Sequence, residues 1–288
     1  MKRITSVLLG LLVVWGWPEG AFAGQTASFQ EVVSVANPGV ATKETPLLSE
    51  AEFREFLKTA RVVASKQTAK GITAPVKLTL SDGQRTIEAC FQSVNEFKAR
   101  AEFPSGIVFN FRDSFKLNLA SYELAKLLNL QDMIPVTVGY TWKGKNGSLS
   151  LWVYSKWDEE DRLKQDLQSP DMNAWNKQVN KMWVFSQLVY DPDRNQTNML
   201  ITEDWKLWMI DFTRSFRLEK DLEEPRRLVM CDRQLLERLR QLKEAEILEK
   251  TKPYLNKNQV RALLARRDKI VRHFETLVAQ KGEVAVLY

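Results

Sequence analysis

Asp193-Arg194-Asn195-Gln196-Thr197-Asn198-Met199-Leu200, followed by Trp208-Met209-Ile210-Asp211-Phe212-Thr213, is the stretch on which the reading of this chain turns. Asn198 lies five residues after Asp193, and Asp211 thirteen after Asn198. Moving a phosphoryl group to a hydroxyl takes one carboxylate to orient the nucleophile. An amide oxygen and a second carboxylate must also hold a hard divalent cation against the phosphates. One short segment supplies all three. With 14 Asp and 13 Asn among 288 residues, chance yields about 0.03 occurrences of this spacing, so it carries information. Met199-Leu200-Ile201 and Leu207-Trp208-Met209-Ile210 read as two apolar strands around the polar turn Thr202-Glu203-Asp204, a hairpin that would bring Asn198 and Asp211 together at its open end. The competing reading is a surface loop whose Asp and Asn residues serve only local turn hydrogen bonds.

Outward from that stretch, the N-terminus reads as a secretory signal. Lys2 and Arg3 precede an apolar run from Val7 to Trp17, too short for a comfortable membrane span, and Ala21-Phe22-Ala23 forms a small-x-small cleavage site. Cleavage there would leave a chain from Gly24, periplasmic or extracellular and not integral to a membrane; an uncleaved anchor is the alternative. The formal charge of +6 favours acidic partners such as phosphates, but basic and acidic residues are interspersed and no specific nucleic-acid reader is implied. The single histidine, His273, sits among Arg267, Lys269 and Arg272 and reads as a solvated surface residue. A lone histidine in that setting argues against Ser-His-Asp catalysis and histidine-rich zinc sites. Cys90 and Cys231 fall in different subregions. Export would permit a bridge between them, though free Cys is commonly a buried apolar residue.

Residues 24–48, with Pro38, Gly39 and Pro46, read as a tail or linker. Ser49 with Glu52 forms a capping-box pattern ahead of Phe53, Phe56, Leu57 and Ala60 at helical spacing. Val76 to Leu80 alternates at period two, Ser81-Asp82-Gly83-Gln84 is a turn, and Arg85 to Gln92 returns as a second strand. No Gly-x-Gly-x-x-Gly loop occurs there. Asp113 opens an amphipathic helix to about Asn129, and Val136 to Trp142 and Ser148 to Tyr154 read as strands joined by a loop ending in Asn146-Gly147. Asp158-Glu159-Glu160-Asp161 reads as an exposed connection. A helix carrying Trp175, Val179, Met182, Trp183 and Leu188 leads into Asp191-Pro192-Asp193, and three further helical patterns follow Pro225. Most of the arginines in that last region read as solvated helix faces.

At residues 180–217 the chain resembles the atypical kinases that include the HipA-like, phosphatidylinositol 3/4-kinase-like and secreted Golgi-type kinases. Their catalytic loop is Asp-Arg-His-x-x-Asn or a close variant followed by Ile-Asp; here Asn195 stands in the His position. The resemblance implies an α+β, bilobal protein-kinase-like fold, with a small β-rich N-lobe and one main helix over residues 49–157 and a larger, mostly helical C-lobe over 158–288. It implies ATP and Mg2+ as cofactors, Asp193 as the catalytic carboxylate, Arg194 as a brace for the loop, and Asn198 and Asp211 as metal ligands. Arg214 and Arg217 would face an acidic substrate or a phosphate, or serve as ion-pair partners. Where the family carries a nucleotide-gripping Lys this chain has Gln92, and where that Lys meets a helical Glu it has Asn118, two amides able to bond each other. Lys77 or Lys98 would substitute as the cation. The expected activity is transfer of the ATP γ-phosphoryl to a hydroxyl of a protein, glycan or lipid. The alternative is a pseudokinase that binds nucleotide or an acidic partner without turnover.

Overall fold

The computed structural model describes residues 48–68, 75–103 and 106–288. The signal segment expected over 1–23 and the tail expected over 24–48 lie outside them, apart from Leu48. The first helix, α1 (Glu50–Thr59), starts where its capping box dictates: Ser49 Oγ accepts from the Glu52 amide, and the Glu52 carboxylate accepts from the Ser49 amide at 2.7 Å. Next come β1 (Arg61–Gln67), β2 (Val76–Ser81) and β3 (Thr86–Gln92), then the hairpin β4 (Asn95–Phe103) and β5 (Gly106–Ser114). Helix α2 (Phe115–Leu127) and strands β6 (Thr137–Trp142) and β7 (Lys145–Leu151) complete the sheet lobe.

Five strands form one antiparallel sheet in the order β1-β2-β3-β7-β6. Period-two alternation sorts its faces. Leu78, Leu80, Ile87, Ala89 and Phe91 are buried with Leu117, Ala120 and Leu124 of α2 in one core cluster. The opposite face presents Lys77, Glu88, Cys90 and Gln92. The β6–β7 turn is Lys143-Gly144, both at positive φ (48° and 75°) as a tight two-residue hairpin requires, not the expected Asn146-Gly147. Hairpin β4–β5 stands apart as its own two-stranded sheet and was not anticipated; Phe97, Ile107 and Phe109 are exposed on it.

The second lobe begins with β8 (Trp157–Asp158) and α3 (Glu159–Lys164). The acidic run expected as an exposed connection is therefore a helix start: Asp158 is buried and accepts from the Asp161 amide at 2.8 Å. Helix α4 (Met172–Val189) ends at Tyr190, whose φ of 48° turns the chain out of the helix. Strands β9 (Met199–Ile201) and β10 (Leu207–Met209) pair with β8 in the order β10-β9-β8. Helices α5 (Arg233–Gln241), α6 (Glu244–Thr251), α7 (Lys257–Lys281) and α8 (Glu283–Val286) finish the chain, with α7 packed along α4.

Two expectations about charged residues in this lobe are corrected. Arg266 of α7 is fully buried, donating to the carbonyls of Leu188 (2.9 Å), Arg217 (3.1 Å) and Glu219, and desolvation lowers its pKa to about 10. His273 is half-buried with Nε2 2.8 Å from the Leu228 carbonyl. Cys90 and Cys231 are both free. Among the described residues no helix is long and apolar enough to cross a membrane. The molecule thus has the bilobal α+β architecture, a β-sheet lobe and a helical lobe, that the motif implied.

Candidate active site

Arg194 organises the loop between α4 and β9. Its Nη2 donates to Asp191 Oδ2 at 2.5 Å, and its Nη1 donates to the carbonyls of Asn198 (2.7 Å) and Ile210 (2.8 Å). The Ile210 amide in turn donates to the Asn198 carbonyl at 3.1 Å. One buried guanidinium, stacked 4.4 Å over the Phe212 ring, thereby ties the start of the loop to both ends of the β9–β10 hairpin. Burial pushes the Asp191 carboxyl above its ordinary value, and the adjacent Arg194 charge opposes that.

The scaffold brings the motif residues to one place. Asn198 Nδ2 donates to the Asp193 carbonyl at 2.9 Å, which assigns the amide and leaves its oxygen for the cleft. Asp193 is half-buried, with Oδ1 accepting from Asn195 Nδ2 at 3.1 Å and Oδ2 from Arg214 Nη1 at 3.3 Å. Asp211 adopts a left-handed backbone, φ 55°, a conformation that Asp tolerates better than most residues. That turn places its carboxylate against Thr213 Oγ1 at 3.0 Å and the Gln92 carboxamide, and sends the next amide, Phe212 N, to Asn118 Oδ1 at 2.8 Å. Burial pushes the Asp211 carboxyl upward; Thr213 and Gln92 pull it down, and the charges of Asp113 and Asp193 add to the rise.

Gln92 and Asn118 do bond each other: Asn118 Nδ2 donates to Gln92 Oε1 at 2.7 Å and to Ser148 Oγ at 3.1 Å. Asn118 therefore links β3, β7 and the segment after β10, and Gln92 carries the link on to Asp211. The close fit depends on Gly147, where a Cβ would lie 2.4 Å from the Gln92 carbonyl oxygen and 2.5 Å from the Phe91 ring. Gly147→Ala should shift β3 and lower stability by about 1–3 kcal/mol, read as a lower thermal unfolding midpoint. An unchanged midpoint would show that the strands have room.

Lys77 is not brought to the carboxylates. Its ammonium pairs with Glu88 at 2.6 Å and lies over the Trp152 ring at 4.4 Å, toward the segment joining the lobes. Lys98 is on the hairpin, paired with Glu96 at 3.0 Å and more than half exposed. Arg217 stays in the helical lobe, where its carbonyl accepts from Arg266. Asp113, expected as a helix start, is instead at the end of β5, buried, and accepts from Arg214 Nε at 2.9 Å. Separated from Arg214 by 101 positions, it forms no local pattern that sequence spacing could expose.

A cleft of about 190 Å³ runs between the lobes beside these groups. Ile134, Pro135, Leu151, Trp152, Leu200 and Met209 make its walls apolar, and Gln92, Asn118, Asn198 and Asp211 make one end polar. A flat apolar base fits the first part. At the polar end, an oxygen-only pair, one carboxylate and one amide oxygen, suits a hard cation that takes its remaining ligands from phosphates and water. Asp211, whose carboxyl burial pushes above its ordinary value, is the kind of carboxylate that such a cation would stabilise.

No protein-family model matches the chain, and no curated protein matches its sequence. Solved structures do. A hydra Fam20 structure with sugar is similar at a TM-score of 0.60 and 13% identity, over 83% of this chain and 91% of that one. The Golgi casein kinase with Mn/ADP bound is similar at a TM-score of 0.60 and 13% identity, over 83% of this chain and 78% of that one. A further Golgi casein kinase structure gives a TM-score of 0.58 over 83% and 77% of the two chains. At such identity the likeness is one of fold, and the chain has the atypical kinase-like fold represented by these structures.

Proposed function

We propose that the chain is a divalent-metal- and ATP-dependent phosphotransferase that moves the terminal phosphoryl group to a hydroxyl acceptor. The observation that carries this reading is that Asn198 and Asp211 line one apolar cleft, with Asp193 tied beside them through its carbonyl to Asn198 and the loop braced by Arg194. The apolar walls would hold the adenine and exclude water from it. Asn198 Oδ1 and the Asp211 carboxylate would hold Mg2+ or Mn2+, and a cation so placed neutralises charge on the phosphate oxygens. Asp193, the outermost and most accessible of the three, would orient the acceptor hydroxyl and take its proton. The acceptor is a hydroxyl on a protein, glycan or lipid. The alternative, a pseudokinase that binds nucleotide without transferring phosphate, rests on Gln92 and Asn118 standing where Lys and Glu are expected.

The test is thermal unfolding of the protein with and without Mg-ATP, beside Asp211→Ala. Ligand at a hundredfold excess over Kd should stabilise the native state by about 2.7 kcal/mol, a midpoint rise of roughly 5–10 °C for a chain of this size. The rise should need the metal and disappear in Asp211→Ala; no rise at saturating ligand would defeat the nucleotide reading. ADP release by the same preparation separates a transferase from the binding module.

A further inference from the structure

We propose that Arg214 supplies the phosphate-gripping cation that β3 lacks, and that by turning to the phosphate it uncovers Asp193. The proposal rests on the phosphotransferase reading and adds to it a catalytic residue and an order of events. Arg194 is spent on Asp191 and two carbonyls, with a side chain 2% exposed. Lys77 is held by Glu88 and Trp152 toward the other end, and Lys98 stands in solvent with Glu96. Arg214 is different in kind. Burial works against its charge, but Asp113, Asp193 and Asp211 all favour it, and its side chain keeps 22% of its surface exposed.

The two ends of its guanidinium are held unequally. Nε meets Asp113 Oδ2 at 2.9 Å, on a carboxylate that is 4% exposed. That anchor is fixed in place, because the neighbouring Ser114 amide donates to the Thr213 carbonyl at 2.8 Å and stitches β5 to the segment after Asp211. Phe111 supports the guanidinium from below, its ring centroid 5.7 Å away. The outer arm, Nη1, reaches Asp193 Oδ2 only at 3.3 Å, on a carboxylate one-third exposed. A planar guanidinium with one buried, short anchor and one longer, solvent-facing contact can exchange the second without losing the first. A terminal phosphate offers more charge than one carboxylate, and the fork geometry of arginine suits its oxygens.

Nη1 would then leave Asp193 Oδ2 for a γ-phosphate oxygen, and the freed Oδ2 would accept the proton of the acceptor hydroxyl, while Oδ1 keeps its bond to Asn195. In the transfer itself the acceptor oxygen forms a bond to the γ-phosphorus. The bond from that phosphorus to the β,γ-bridging oxygen breaks, and its electron pair leaves with ADP. The hydroxyl proton goes to Asp193. Arg214 stays protonated throughout and stabilises the charge on the moving group. Without nucleotide, the same arginine covers Asp193 and keeps it from acting on a stray hydroxyl.

Recognition of the γ-phosphate is what separates this role from simple support of the loop. Titration calorimetry would give Kd for Mg-ATP and Mg-ADP, at saturating Mg2+, for the wild type and Arg214→Gln. We expect the wild type to prefer ATP. Arg214→Gln should weaken ATP by about 10- to 100-fold, the worth of a charge-assisted contact, and leave ADP within about threefold. Should Arg214→Gln fail to fold, the same ratio is read on Arg214→Lys. That variant keeps the charge, and its ATP preference should fall by about tenfold for want of the fork. A wild type without preference for ATP, or a variant in which both affinities fall alike or neither falls, would overturn the role. A wild type that binds neither nucleotide would overturn the phosphotransferase reading with it.

Discussion

Asp193→Asn should lower phosphoryl transfer by about 10²- to 10⁴-fold, the usual contribution of a positioned general base, and should not weaken nucleotide binding. The carboxylate lies outside the metal pair: its neighbours are Asn195, Arg214 and, through its own carbonyl, Asn198. Asparagine keeps the shape and the acceptor at Oδ1 but cannot take a proton at neutral pH. The midpoint rise with Mg-ATP should therefore persist while ADP release collapses. Turnover equal to the wild type would remove Asp193 from the reaction and move the search for a base elsewhere in the cleft.

Arg194→Met should destabilise the fold by about 3–5 kcal/mol, the cost of breaking a buried ion pair from one side. Asp191 would be left a carboxylate in a fully buried position, and the carbonyls of Asn198 and Ile210 would lose the donor they share. The thermal midpoint should fall by roughly 6–20 °C, and the loop that aligns Asp193 with Asn198 should loosen with it. The paired change Asp191→Leu with Arg194→Met should cost less than Arg194→Met alone, because it strands no charge. A double variant as unstable as the single one would show that the carbonyl contacts, not the ion pair, hold the loop.

The hairpin around the metal-ligand candidates was legible because its apolar runs, its polar turn and its three oxygen donors lie within twenty residues of each other. The capping box of α1 and the period-two face of β2 and β3 were legible for the same local reason. Strand β1 was not, since nearly every side chain on it faces solvent and no alternation marks it. Hairpin β4–β5 was not legible because Phe97, Ile107 and Phe109 point outward, which blurs the inside-outside pattern. Arg266 looked solvated because helical periodicity counts an arginine as polar, whereas its partners are backbone carbonyls from distant segments. The Asp113–Arg214–Asp193 chain is likewise tertiary, and only the folded chain shows it.

The amide contact between Gln92 and Asn118 has a consequence for the conditions under which the two lobes stay registered. A lysine–glutamate tie in that place would weaken as counter-ions gather and would fail once the acid took up a proton. Two carboxamides have no proton to lose and no net charge to shield. The connection from the sheet, through Asn118, to the backbone of Phe212 should thus keep its geometry in acid or brine that would part an ionic clasp. The amide tie is insensitive to the medium, whereas the tie from Arg214 to Asp113 of β5 is ionic and answers to it.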